Sequence, residues 1–431
     1  MGMRLRTRAS LGVLAAVCTA AAVAGCGSAS TATATISVAM MRGVAATEPA
    51  ASTQPLAAAD TGFGLDVMRA WCAQNPGRNL VFSPSTLASA LGMAYLGARG
   101  ATATAMARVL DLPVGTSPAG LEGELQARTD ELGRLDGPGV TLAASDQVWA
   151  DPTVTTLRSY LNAVATGYRA GVAQAPFSTD PAKAAAEINQ AISAATDGHI
   201  SQLVSASMLG NIGWVLTSAL YLNAKWATPF DPNKTEPGTF TPAGSQPVTV
   251  KFMNGDGFPY SSAGGWQAVS LPYRGGKLTM TALLPPAGSA ACALPSQASL
   301  TSIARSLDRP GLVANVLLPR VNLDTAGGVG DMKPTLEQLG MGMAFDQGAD
   351  FSGLSPQACC IGFVQQAATL QVGEKGTVAA AAASVGVATA GSAVPLRTIT
   401  VTFNRPYLLL ITATATGEPL FLARVDNPTA G

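Results

Sequence analysis

One histidine, His199, stands in a chain of 431 residues. That scarcity excludes a His-rich metal centre and any mechanism that needs two imidazoles. Charge is scarce as well. Lys and Arg total 26, Asp and Glu total 26, and charged residues make up 12% of the chain, roughly half the usual share. A balance of zero removes the basic excess that phosphate neutralisation requires, so nucleic acid is not expected as a partner. Catalytic signatures are missing too: there is no Gly-x-Ser-x-Gly, no Ser-x-x-Lys and no Gly-x4-Gly-Lys-Ser/Thr. His199 itself lies in the turn-like Thr-Asp-Gly-His-Ile, which reads as an exposed loop side chain and not as a general base. The expectation is a protein that is not an enzyme and uses no metal or cofactor.

What is present begins with an address. Arg4, Arg6 and Arg8 precede an uncharged run from Ala9 to Gly25, the charged head and apolar middle of a secretory signal. The run ends Val23-Ala24-Gly25-Cys26, which resembles the lipobox of bacterial lipoproteins. That resemblance implies a signal peptide over residues 1–25, a diacylglycerol on Cys26, and an extracytoplasmic protein held at the cell membrane by lipid alone, or secreted. Residues 26–60 are rich in Ala, Ser, Thr and Pro and read as a flexible tether. Cys72, Cys292, Cys359 and Cys360 remain beyond it. Export permits disulfides, but the spacing announces neither a framework nor a zinc site, and buried free thiols are the simpler expectation.

The 48% of apolar residues can fill a large core, which excludes disorder throughout. From residue 61 onward no composition shift marks a boundary. Phe63, Val67 and Trp71 predict a first helix. Ser83-Pro84 offers a cap and a first-turn proline for a second, with Leu87, Leu91 and Tyr95 on one face. Ser117-Pro118 opens a third with the stripe Leu121, Leu125 and Leu132. Leu157, Leu161 and Val164 mark a fourth face, and Ile188, Ile192 and Ala195 a fifth that starts near Asp180-Pro181. Strands are predicted at Trp214–Leu222, Val248–Met253, Leu278–Leu284, Val313–Leu318, Phe363–Val372, Thr398–Phe403, Tyr407–Thr412 and Leu420–Val425. The first of these is almost wholly apolar, as a strand buried on both faces should be. Helices come first and strands later, so the class is α+β in one large domain over 61–431.

The segment Gly376–Leu396 holds 21 residues without a charge, most of them small. Its length would permit a membrane span, yet Ala, Gly, Ser and Thr supply little transfer energy. A surface helix or a plain linker also fits. Such a segment could enter a sheet without steric clash or a buried charge.

The chain resembles the serpin family from about Gly62 to Pro428. The resemblance is carried by Asn79-Leu-Val-Phe-Ser-Pro84 with Leu96-Gly-Ala98, and by Thr196-Asp-Gly-His-Ile200. It continues through Leu216–Asn223 with Trp226, Phe230, Thr235 and Phe240, then Leu271-Pro-Tyr273 with Leu278–Pro285. Leu336-Glu-Gln-Leu-Gly340 with Phe345 and Ala349–Gly353 follows. The remaining blocks are Glu374-Lys-Gly-Thr377 with Ala379–Ala382, Phe403-Asn-Arg-Pro-Tyr407, and Pro419-Leu-Phe421 to Asn427-Pro428.

That resemblance implies a single domain of about eight or nine helices, three β-sheets and an exposed reactive-centre loop near 374–397. It also implies a monomeric suicide inhibitor of serine proteases, acylated at its loop and trapping the protease by inserting that loop into the main sheet. A serpin-fold binding protein that does not inhibit is the alternative. The loop hinge would be Glu374, Gly376, Thr377, Ala379, Ala380, Ala381 and Ala382. Thr377 and Ala379 would face one side of the sheet, and residue 378 and Ala380 the other. Ser83, Thr86 and Gln366 would form the region where the sheet opens. Gln366 departs from the histidine usual in the family, Ser218 from an asparagine and Val378 from a frequent glutamate. Counting forward from Glu374 places the cut bond at Ala390–Gly391; counting back from Phe403 places it near Pro395–Leu396. Ala390 suits elastase- or subtilisin-like enzymes with small apolar pockets.

Overall fold

The computed structural model describes residues 38–210, 212–308, 311–324, 330–377 and 397–430. Strand β1 (Met40–Met41) leads into helix α1 (Gln54–Gln74), which has a proline in its first turn and buries Phe63 and Val67 completely. After β2 (Leu80–Phe82), Ser83 accepts the Thr86 backbone N–H at 3.2 Å and caps α2 (Pro84–Gly97). Every residue of α2 is buried, so it runs through the middle of the molecule. Then come α3 (Gly100–Val109), α4 (Glu122–Leu132), β3 (Val140–Ala150), α5 (Arg158–Tyr168) and β4 (Val172–Gln174). Asp180 caps α6 (Pro181–Ala195) through the Lys183 N–H at 3.0 Å, and the short α7 (Ala206–Leu209) follows.

Strands take over in the second half. They are β5 (Trp214–Lys225), β6 (Glu236–Phe240), β7 (Val248–Ala263), β8 (Trp266–Pro272) and β9 (Leu278–Leu284). Helix α8 (Gln297–Leu307) precedes β10 (Leu312–Pro319), β11 (Val321–Asp324) and β12 (Gly330–Asp331), and the single-turn α9 (Lys333–Leu336) precedes β13 (Val364–Gly373). The chain closes with β14 (Gly376–Thr377), β15 (Arg397–Thr402), β16 (Tyr407–Ala413) and β17 (Pro419–Val425).

Among the described residues these strands make two sheets. The main sheet runs β1-β4-β3-β5-β14-β13-β11, with β12 on β13; the other runs β15-β10-β7-β8-β9-β16-β17-β2, with β6 on β7. The third sheet expected from the sequence is continuous with the second, because the 16-residue β7 pairs with β10 and β6 along one part and with β8 along another. Strand β5 is covered on both faces. Its Leu216 packs in the cluster that contains Leu87 and Leu91 of α2, while Val215 and Ala219 pack with Ile188 and Ile192 of α6. Its upper residues Leu220 and Leu222 meet Leu271, Met280 and Leu409 of the second sheet.

Three expectations need correction. Part of the stretch expected as a tether over 26–60 is folded: α1 begins at Gln54, residues 39–41 lie along the edge of the main sheet, and residues 44–46 run against α5. Met40 and Met41 pair with Ala173 and Val172, and the Val44 and Ala46 N–H groups donate to Asn162 Oδ1 and Thr166 Oγ1 at 2.8 and 2.9 Å. A Cβ on Gly43 would come within 2.1 Å of the Leu161 carbonyl oxygen, so this close approach requires glycine. Second, Cys72 and Cys292 are joined in a disulfide. Third, Cys359 is an exposed thiol and Cys360 a half-buried one, not the buried pair expected. His199 is exposed, as expected, and stacks on Tyr221 with ring centroids 3.7 Å apart. No described helix is long and apolar enough to cross a membrane. Cys26, Ala379–Ala382, Ala390 and Gly391 fall outside the described residues.

Candidate functional site

The parallel strands β5 and β13 pair directly only along their lower part, from Leu216 opposite Val364 to Leu220 opposite Ala368. Above that they diverge, and β14 fills the gap antiparallel to both. Gly376 lies opposite Lys225 and Gly373, and Thr377 opposite Ala224 and Val372. The first two strand residues of the loop therefore already sit inside the sheet.

Local chemistry explains why the chain turns there. At Gly376 the backbone has a φ of +148°, and a Cβ would stand 2.1 Å from the Ala224 carbonyl oxygen, so only glycine fits. Thr377 is fully buried, and its hydroxyl meets the Tyr273 phenol at 2.5 Å. Tyr273 stacks on Trp226 with centroids 4.5 Å apart, and the Trp226 indole N–H donates to the Gly373 carbonyl at 2.8 Å. Burial raises the Tyr273 pKa well beyond the ordinary phenol value, although the Thr377 bond offsets part of this, so the phenol keeps its proton.

Glu374 anchors the turn from the side. Its Oε1 accepts from Arg320 Nε at 2.6 Å, from Arg320 Nη2, and from the Thr235 hydroxyl at 2.7 Å. Partial burial pushes the Glu374 pKa up, but the Arg320 and Thr235 hydrogen bonds outweigh it and leave the carboxyl below its usual range. The backbone adds two more ties, Trp226 N–H to the Lys375 carbonyl at 3.0 Å and Phe230 N–H to the Glu374 carbonyl at 2.8 Å. Trp226, Phe230, Thr235 and Tyr273, quoted above only as scattered matches, thus converge on one turn. Arg320 was not singled out in the sequence; nothing near it marks a partner 54 residues away.

Lower in the sheet, Gln366 of β13 is buried and its side-chain amide donates to the Ser83 carbonyl at 2.8 Å and to the Thr86 hydroxyl at 3.2 Å. This ties the capped first turn of α2 to the strand next to the seam. The three residues named from the sequence as the opening region are therefore in contact. Ser218 stands beside Gln366 in register and beside Asp146 of β3 on its other side. Burial pushes the Asp146 carboxyl up to about 8; the Ser218 hydroxyl and the Arg128 charge offset only part of this.

That shift has a sign that can be measured. In the unfolded chain Asp146 ionises at about 3.9, whereas in the fold it holds its proton to about pH 8. Between those values the unfolded state binds fewer protons, so stability falls as pH rises from acid toward pH 8 and levels off above it. Asp146→Asn removes the loss. Its melting midpoint is expected to exceed that of the wild type by several degrees at pH 8 and to match it near pH 4; an equal gap at both pH values would contradict this assignment.

Among the described residues, no cluster of three or more His, Cys, Asp or Glu is placed to hold a metal. A family model described as "Serpin (serine protease inhibitor)" matches residues 58–428. The chain is 29% identical over 379 residues to Iripin-2 of Ixodes ricinus, covering 86% of this chain and 93% of that one. It is 28% identical over 388 residues to leukocyte elastase inhibitor A of Mus musculus, covering 87% of this chain and 100% of that one. Its fold superposes on human thyroxine-binding globulin with a TM-score of 0.75 at 25% identity, covering 88% of this chain and 100% of that one.

Proposed function

Because the chain belongs to the serpin family, we propose that it is a suicide inhibitor of serine proteases that traps its target by inserting its own cleaved loop as a new strand. Serpins are protease inhibitors and not catalysts, and one relative of this chain is a leukocyte elastase inhibitor. The observation that carries the reading is β14, which occupies the seam between β5 and β13 with antiparallel register to both.

Extending that register continues the pairing that β14 already makes. Each further loop residue moves one position down both neighbours. Ala379 would stand opposite Leu222 and Leu370, Ala381 opposite Leu220 and Ala368, and Ala383 opposite Ser218 and Gln366. These positions face the second sheet and α2, where a large or charged side chain would find no room. Residues 378, 380 and 382 would meet Asn223, Tyr221 and Ala219 on the α6 side. The five direct pairs between β5 and β13 must part to admit them. About ten new ladder hydrogen bonds, at roughly 1 kcal/mol net each, favour insertion by on the order of 10 kcal/mol. A single unpaired charge on the inserting face would cost several kcal/mol of that.

In this reading the target protease acylates itself on Ala390, the Ala390–Gly391 bond opens, and the freed hinge zips downward before water can release the enzyme. A cut near Pro395 is the competing assignment. Ala390 selects elastase- or subtilisin-like enzymes with small apolar pockets. The inhibitor acts as a monomer, held outside the cytoplasm by a lipid on Cys26. Detergent partitioning that Cys26→Ala abolishes tests that anchor.

A second reading, a serpin-fold binding protein without inhibitory action, takes its support from the likeness to thyroxine-binding globulin. Titrating a fixed amount of elastase or subtilisin separates the two. The inhibitory reading expects activity to fall to zero near one inhibitor per enzyme and to stay there. Full activity with cleaved inhibitor, across a panel of small-pocket serine proteases, favours the binding protein.

A further inference from the structure

Two thiols have no part in the inhibitory reading. Cys359 and Cys360 are adjacent in sequence, and their sulfur atoms lie 2.9 Å apart. Cys359 is exposed; Cys360 is half-buried and lines a small apolar cavity with Val148 of β3, Trp214 and Leu216 of β5, Leu354 and Ile361, at the lower ends of β3 and β5. A second observation bears on them: the same chain carries the oxidised pair Cys72–Cys292, so the fold is compatible with surroundings that oxidise neighbouring thiols.

We infer that Cys359 and Cys360 form a reversible redox site, a vicinal dithiol that closes to a disulfide by exchange with a low-molecular-weight disulfide. The Cys359 sulfur, the more exposed, loses its proton and attacks one sulfur of R–S–S–R. That S–S bond breaks, releasing one R–S⁻ and leaving a mixed disulfide on Cys359. The Cys360 thiol then gives up its proton and attacks the Cys359 sulfur, expelling the second R–S⁻. Two electrons pass from the cysteine pair to the reagent, which leaves as two thiols, and the protons released match those it takes up.

The product is built to be reversible. Adjacent residues hold their Cα atoms about 3.8 Å apart, closer than the 4.4–6.8 Å that an unstrained disulfide prefers. A strained, accessible disulfide is readily reduced, which is the property of labile and regulatory bonds. Burial, with Cys359 beside it, pushes the Cys360 thiol up to about 11, which fits Cys359 as the first to react. Ring closure draws the two sulfurs from 2.9 Å to bonding distance and so disturbs the packing of Cys360 in the cavity at the foot of β3 and β5. The closed form is therefore expected to be the less stable one.

The site goes beyond the inhibitory reading, and its test needs no protease. The full chain is incubated with 2-hydroxyethyl disulfide, digested without reductant and weighed. The expected result is that the peptide carrying both cysteines loses the mass of two hydrogen atoms, carries no adduct, and recovers on reduction, while Cys72–Cys292 stays intact. Cys359→Ser and Cys360→Ser are each expected to stop at a stable mixed disulfide on the remaining thiol. The closed wild type is expected to melt a few degrees lower than the open form. A wild-type peptide that keeps a stable adduct, or two thiols that stay unmodified, overturns the site; an unchanged melting midpoint overturns its link to the floor of the sheet.

Discussion

Thr377→Arg is expected to turn an inhibitor into a substrate. The wild-type threonine is fully buried between Ala224 and Val372, with its hydroxyl on Tyr273. An arginine there stays ionised at any accessible pH and meets a phenol, two backbones and apolar neighbours. The nearby carboxylate, Glu374, is already engaged by Arg320 and Thr235. Because position 377 already lies in the seam, the arginine is expected to lift β14 out of it in the uncleaved chain. Insertion must then bury the guanidinium at a cost of several kcal/mol, and each 1.4 kcal/mol on the barrier slows insertion about tenfold. A penalty of about 3 kcal/mol slows insertion on the order of 100-fold, enough for deacylation to win. The variant is expected to keep its fold, because the pairs from Leu216 to Leu220 with β13 lie below the change. It is expected to be cut at the same bond and to release active protease, with trapped complex reduced at least tenfold. Arginine at position 378 is expected to do much less, since the position beside it, Asn223, is only half-buried and on the other face. Equal trapping by Thr377→Arg and wild type would remove strand insertion, as placed here, from the mechanism.

The second large effect concerns stability. Cys72 of α1 and Cys292, just before α8, are joined across 220 residues. Closing so long a loop in the unfolded chain removes entropy worth about 5 kcal/mol in the chain-entropy account. The double variant Cys72→Ser, Cys292→Ser is expected to lose a large part of that, and its melting midpoint to fall by roughly 5–10 °C. Buried Cys72 touches the cluster of α1 and α2, so the replacement serine also leaves a hydroxyl in an apolar site. A midpoint unchanged on reduction of the wild type would show that packing alone holds α1 in place.

How much of this was legible follows from the physics of each element. Strand β5 was read from its apolar run, and α2 and α6 from Ser83-Pro84 and Asp180-Pro181, because a cap followed by proline is a local signal. Strand β3 was not read. Its middle carries the small or polar residues Ala143, Ala144, Ser145, Asp146 and Gln147, so the apolar alternation is broken where the strand pairs with β5. The strap at 39–46 carries no periodic hydrophobicity, and its bonds are made by backbone groups to partners more than 100 residues away. The hinge residues Glu374, Gly376 and Thr377 were named from the sequence, and they do meet at one place. Their partners Arg320 and Tyr273 come from separate strands and loops, and only the fold brings them together. The disulfide was missed for the same reason, since two cysteines 220 residues apart carry no spacing signal.

The most direct test of the central claim is to mix the purified chain with elastase or subtilisin, run denaturing electrophoresis, and weigh the released C-terminal fragment. Trapping by loop insertion predicts a covalent complex that survives boiling in detergent, and a fragment that begins at Gly391. A protease that cleaves the chain completely, releases that fragment and leaves no such complex would contradict it.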